Sequence, residues 1–188
     1  MIHQLVSLKH LYDRIVALVE RLLDRWFLGL AARFVFAAVL LPYYWNSAMT
    51  KFDGFLSISD SAYYQIALPA VDAAGGDVSA VARFPWGLMV IFGTYGETIL
   101  PILVVLGLFT RIAATGMIGF ILVQSLTDIL VHKVDAATIG ALFDRFPDSV
   151  ILDQRLLWIF PLLYLAVKGA GFLSLDKILC TLWTRRFA

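Results

Sequence analysis

The sequence predicts an all-α fold: an integral membrane four-helix bundle with an N-terminal amphipathic interfacial helix and short loop helices. Two observations carry this. First, 61% of the 188 residues are hydrophobic and only 15% are charged, whereas charged residues approach about a quarter of an ordinary soluble domain; the mean hydropathy is +0.84. Second, the apolar residues gather into four runs near the ~20 residues that a helix needs to cross a bilayer. The chain length leaves room for one compact bundle and no separate soluble domain.

Residues 1–27 are amphipathic rather than spanning. Leu5, Leu8, Leu11, Ile15, Leu18, Leu22 and Trp26 recur at three and four, while Lys9, Asp13, Arg14, Glu20, Arg21, Asp24 and Arg25 fill much of the opposite face. Such a helix is expected in the membrane surface or against the bundle. A signal peptide is not expected, because no discrete apolar region precedes a small-residue cleavage site.

The membrane domain is expected over residues 28–179, with spans at about 28–49, 86–107, 110–131 and 156–172, and a tail over 180–188. The first span carries Arg33 near its start, Pro42 past its centre, and Trp45 and Asn46 near its end, with Lys51 at the boundary where its stem can snorkel. Residues 51–85 read either as a partly helical loop over the bundle mouth or as a solvated connector. The second span holds Glu97 as its only ionisable residue from Trp86 to Gly107. A carboxylate at that depth costs on the order of 3 kcal/mol, so it must face other helices and have a partner or a proton. Pro101 lacks the N–H that would bond the Glu97 carbonyl. The residue reads either as functional or as a packing kink with a neutral carboxyl.

A tight turn around Gly107 and Arg111 makes the second and third spans antiparallel neighbours. Along the third, Gln124, Asp128 and His132 fall at i, i+4 and i+8 on one face. The following loop has a short interfacial helix pattern in Ile139, Leu142, Phe143 and Phe146, ended by Pro147. The fourth span contains Trp158, Pro161 and Tyr164. After it, Gly169 and Gly171 allow the helix to stop, and Ser174 can cap a short helix from Leu175 to about Trp183.

Basic residues near the span ends number nine on the side of the termini and five on the other. This asymmetry places both termini in the cytoplasm and the two long acidic loops outside. At 1.5 Å per residue from the cytoplasmic ends, Arg33, Glu97 and Gln124 lie at roughly 8, 15 and 18 Å, and Asp128, Asn46, His132 and Lys51 at roughly 24, 27, 30 and 35 Å. The resulting polar ladder reads as a proton path, as a pocket for a polar head group, or as an interhelical network that fixes register.

Several chemistries are disfavoured. The net charge of +1 argues against nucleic acid. Cys180 is the only cysteine, which excludes an internal disulfide or a CxxC pair. His3, His10 and His132 provide no pair within the spans for a bis-histidine haem, and no flavin or iron–sulfur fingerprint is present. Asp128 and His132 alone fall short of a metal site. Any electron transfer must use a bound quinone or a partner's cofactor.

The motifs carry a resemblance. Arg33 opens the first span, Lys51-Phe52 closes it, Glu97 lies in the second, Leu106-Gly107-Leu108-Phe109-Thr110-Arg111 forms the turn, and Gly169, Gly171, Ser174, Leu175 and Asp176 follow the last span. In that order these residues resemble the DoxX family of bacterial membrane proteins. The resemblance implies a four-helix protein of the bacterial inner membrane; some members resemble subunits of thiosulfate:quinone oxidoreductase, and others are linked to thiol-redox, oxidative-stress or metal-stress operons. The leading expectation is a quinone-interacting redox or stress-response subunit, with a pocket lined by Glu97, Gln124, Asp128 and Arg33. The alternatives are a non-catalytic anchor or assembly factor that recruits membrane or periplasmic proteins, and a small-solute or proton transporter, for which no inverted repeat is evident.

Overall fold

The computed structural model describes residues 2–23 and 26–186. It is all-helical among these residues apart from one isolated bridge between Phe52 and Ile58. Four helices are long and apolar enough to cross a membrane: span 1 (Phe27–Met49), span 2 (Arg83–Leu106), span 3 (Thr110–Leu130) and span 4 (Val150–Lys168). This is a multi-pass membrane bundle, in which the two ends differ: one face carries the helical termini of the chain, the other the two long loops.

Each span buries one stripe. In span 1, Phe36, Leu40, Tyr44 and Ala48 recur every fourth residue and are at most 2% exposed, as one face of a 3.6-residue period requires. In span 2 the buried stripe is Val90, Thr94, Glu97, Pro101 and Val104. Glu97 therefore occupies a core position. The remaining core comes from Ala113, Ala114, Met117 and Ile121 of span 3 and Leu162 and Leu165 of span 4. Phe34, Phe92, Ile112 and Phe160 stay 69–74% exposed on the outside, an apolar surface suited to acyl chains.

Proline shapes the helices without ending them. Pro42 follows a π-helical stretch, Phe36–Leu40, which absorbs the clash between its ring and the preceding turn. Pro101 sits inside an uninterrupted helix. Gly107 ends span 2 in the left-handed conformation (φ 68°), with Leu108 N–H donating to the Leu103 carbonyl and Gly107 N–H to that of Val104. This paired pattern closes a helix end and turns the chain straight into span 3. At the start of span 1, Gly29 lets that helix touch the chain after span 4, since a Cβ there would lie 2.7 Å from the Ala170 carbonyl oxygen.

Several boundaries differ from expectation. Span 4 begins at Val150 rather than about residue 156 and ends at Lys168, because Arg155 is neutralised inside the bundle and Gly169 (φ 84°) breaks the helix. Of the interfacial helix expected through Phe146, only Ala136–Ile139 forms. Gly140, at φ 76°, stops it, leaving Leu142, Phe143 and Phe146 exposed in an irregular loop. Residues 51–85 pack onto the bundle through the helices Asp60–Ile66 and Leu68–Ala73, where Ala62 and Ala67 are buried with Val90 of span 2. The C-terminal helix runs over Leu175–Arg186, beyond the expected Trp183.

The N-terminal helix spans Ile2–Leu23, with Leu8, Leu11, Ile15, Leu18 and Leu22 52–69% exposed along its apolar stripe. Met1, Asp24 and Arg25 of the segment expected to form it, and Phe187 and Ala188 of the expected tail, lie outside the described residues.

Candidate functional site: an intramembrane ion pair beside a lateral cleft

Two ion pairs cross the loop-side half of the bundle. Lys51, just past span 1, turns inward and places Nζ 2.6 Å from Glu97 Oε2. Both residues are buried, at 5% and 2% exposure. Lys51 does not snorkel outward as expected: its ammonium also donates to Ser47 Oγ at 2.9 Å and to the Ser47 carbonyl at 3.3 Å, so three acceptors replace water. The contact with Oε2 is a close, buried ion pair. The second pair joins Arg155 of span 4 to Asp128 of span 3 at 2.5 Å, and Arg155 Nη1 donates to Ser125 Oγ at 3.0 Å. Arg155 is 4% exposed.

The pairs follow from topology. Each acid is supplied by a central helix of the chain order and each cation by the loop-side end of the helix next to it in sequence. Isolated, either charge would be too costly to bury; paired and hydrogen-bonded, it fixes the register of two spans.

Between spans 2 and 3 lies a cleft of about 480 Å³. Gly93 and Gly96 of span 2 and Gly116 and Gly119 of span 3 line it; Ile66 packs over Gly93 and Leu100 over Gly116, while a Cβ on Gly119 would meet nothing within 4 Å among the described residues. Met89, Phe92 and Val123 edge the cleft and are 44–73% exposed on the outer apolar surface. Its polar wall holds Lys51, Glu97, Gln124, Asp128 and His132. The helix Asp60–Ile66 closes the loop end: Ile66 packs over Gly93, and His132 Nε2 lies 3.2 Å from the Gln65 carbonyl oxygen.

Gln124 is oriented by span 1, its Nε2 donating to the Tyr43 hydroxyl at 3.0 Å, while its buried Oε1 has no hydrogen-bond partner among the described residues. A hydroxyl can donate or accept, so the amide can turn over and offer either group to the cleft.

Five of the seven expected polar-pocket residues thus line one cleft. Glu97 pairs with Lys51, and Asp128 with Arg155. Asn46 is exposed and outside the lining. Arg33 points away from Glu97: its Nε and Nη2 donate to the Val105 carbonyl at 3.1 and 2.6 Å, and Nη1 donates to the Leu173 carbonyl. Val105 lies in the last turn of span 2, whose carbonyls have no helical donor, so Arg33 closes that end. Arg155 went unrecognised in the sequence, where it reads as an ordinary boundary cation; the lone Asp128 in an apolar run was the only pointer to it.

Of the residues behind the family resemblance, Lys51 and Glu97 meet at the cleft, while those of the turn after span 2 and of the segment after span 4 meet at the opposite face. Asp176 accepts from the N–H groups of Phe109 and Thr110 at 2.7 and 2.9 Å and from Thr110 Oγ1 at 2.6 Å, while its own N–H donates to the Gly107 carbonyl at 2.9 Å. Ser174 Oγ donates to the Gly171 carbonyl and receives the Lys177 N–H. These contacts clamp the turn between spans 2 and 3 to the loop after span 4. Their role in this structure is architectural.

Fold and site together define a multi-pass helical membrane protein with a polar, laterally accessible intramembrane cleft. Comparison with protein-family models, with curated proteins and with solved structures gives no match.

Proposed function

We propose that the cleft between spans 2 and 3 binds a quinone, and that the protein is the quinone-interacting membrane subunit of a redox or stress-response system in the bacterial inner membrane, with both termini cytoplasmic. The observation that carries this reading is a single space combining an apolar, side-opening mouth with a buried ion pair and an unsatisfied amide oxygen. Quinones dissolve in the bilayer, so a lateral mouth edged by Phe92 and Val123 suits their entry. The ring fits beside Gly119, where open space leaves room for a flat group. The Gln124 amide, which can turn over on the Tyr43 hydroxyl, offers a donor to a quinone carbonyl or an acceptor to a quinol hydroxyl. The same wall therefore meets both redox forms. Glu97 also lines the cleft, where a carboxylate can take a proton as a quinol is oxidised. The quinol's two electrons must pass to a partner's cofactor as its protons leave. The DoxX resemblance supports the assignment independently of the geometry.

The alternative of a non-catalytic anchor or assembly factor is favoured by one feature: Phe55 and Phe143 on the two long loops are 95% and 104% exposed, as partner-docking side chains would be.

The test is quinone content after purification in mild detergent, compared with a Gly119→Phe variant. That substitution fills the cleft from an open position without touching the ion pairs. Near-stoichiometric quinone in the parent protein and background in the variant is the expected result. Background quinone in both would remove the proposal and favour the anchor.

A further inference from the structure

We infer that the face carrying the chain termini holds a second site, for the phosphodiester headgroup of an anionic phospholipid. A groove of about 510 Å³ runs between the start of span 3 and the loop after span 4. Arg111, Lys168 and Lys177 all line it, each from a different helix, and all three side chains are exposed. Among the described residues none of the three has an ion-pair partner; Lys177 rests 5.8 Å from the centre of the Phe172 ring.

The one carboxylate in the groove, Asp176, is already committed to two backbone N–H groups and the Thr110 hydroxyl. The placement of two of the cations is itself unfavourable without a further anion, while Lys168, in the last turn of span 4, is favourably placed. Arg111 and Lys177 occupy the first turns of span 3 and of the C-terminal helix, where helix dipoles favour negative charge. Three converging cations against one spent carboxylate leave the groove strongly positive, and a phosphate is the anion that arginine and lysine recognise together.

The surroundings select a lipid as its source. Phe109, Ile112 and Phe172 flank the groove and are 60%, 74% and 62% exposed, and the groove lies at the ends of spans 3 and 4. Headgroup phosphates reside at that depth of a bilayer, and acyl chains can run along the apolar flank. This site is on the opposite face of the bundle from the quinone cleft and does not rest on it.

The test is thermal unfolding of the full-length protein in a neutral detergent, titrated with phosphatidylglycerol, with phosphatidylcholine of the same chains, or with inorganic phosphate. Phosphatidylglycerol is expected to raise the midpoint at the lowest concentration. Removing each cation should weaken this response about fivefold, so R111Q/K168Q/K177Q should need about a hundredfold more lipid. The single variants, each about fivefold weaker, and R111K, within about twofold of the parent, decide the matter if the triple variant does not fold. An unchanged response in the neutralised variants, or phosphatidylcholine acting as strongly as phosphatidylglycerol, would overturn the proposal. Inorganic phosphate acting at the same concentration as phosphatidylglycerol would overturn the lipid assignment in favour of a soluble anion.

Discussion

Replacing Glu97 with glutamine leaves the Lys51 ammonium without a counter-charge in a place where it is 5% exposed. Breaking a buried ion pair from one side costs about 3–5 kcal/mol, most of it the penalty of the stranded charge. Lys51 retains Ser47 Oγ and the Ser47 carbonyl, which puts E97Q at the low end, about 3 kcal/mol. At roughly 2–4 °C per kcal/mol for a chain of this length, the unfolding midpoint in detergent should fall by about 6–12 °C. K51M/E97L replaces both charges with apolar side chains of similar length and should recover most of the loss, to within about 1 kcal/mol of the parent. Circular dichroism melts of the parent, E97Q, K51M and the double variant complete a double-mutant cycle, with an expected coupling of about 2–3 kcal/mol. Additive single effects, or an E97Q shift below about 1 °C, would show that the 2.6 Å contact does not hold spans 1 and 2 together. The double variant should still lose quinone, because stability and the cleft's polar lining are separable there.

Four further outcomes are expected. Gly119→Ala should stabilise the bundle by roughly 0.5–1 kcal/mol, since its Cβ enters open space and glycine weakens a helix interior; the same melts check it. Gly29→Ala should cost about 1–3 kcal/mol, because its Cβ would press on backbone at Ala170, which cannot swing aside as a side chain can. Asp128→Asn should destabilise by about 3 kcal/mol by stranding Arg155, and the second substitution in D128N/R155M should restore part of that loss. On the loop face, the Ser79 hydroxyl and backbone N–H hold the Asp77 carboxyl below its ordinary value. A depressed value means that this turn is stabilised above the unfolded aspartate's pKa and loses that contribution as pH falls through the folded one. Amide exchange at Ser79 should therefore rise only in the acidic range below the ordinary aspartate value, and Asp77→Asn should remove the pH dependence.

The sequence alone determined the solvent of this protein and the number of its passes, because the length and apolarity of a span are local properties that need no knowledge of neighbours. It also isolated Glu97 and the Gln124, Asp128 and His132 stripe, since a polar residue in an apolar run is conspicuous and helical spacing fixes which positions share a face. It could not show which way span 2 is turned. That helix is apolar nearly all round, so no amphipathic moment marks the buried stripe on which Glu97 lies. Nor could it choose partners: Lys51 and Arg155 read as boundary cations because the cost of burying them depends on an acid from another helix. Arg33 reached the free carbonyl of Val105 rather than a carboxylate because the nearest unsatisfied group, not opposite charge along the chain, captured it. The cleft lies between two antiparallel helices joined by the Gly107 turn, and its lining from both of them is a matter of their relative register. Pairwise contacts between distant segments decided the chemistry, and those are properties of the tertiary structure.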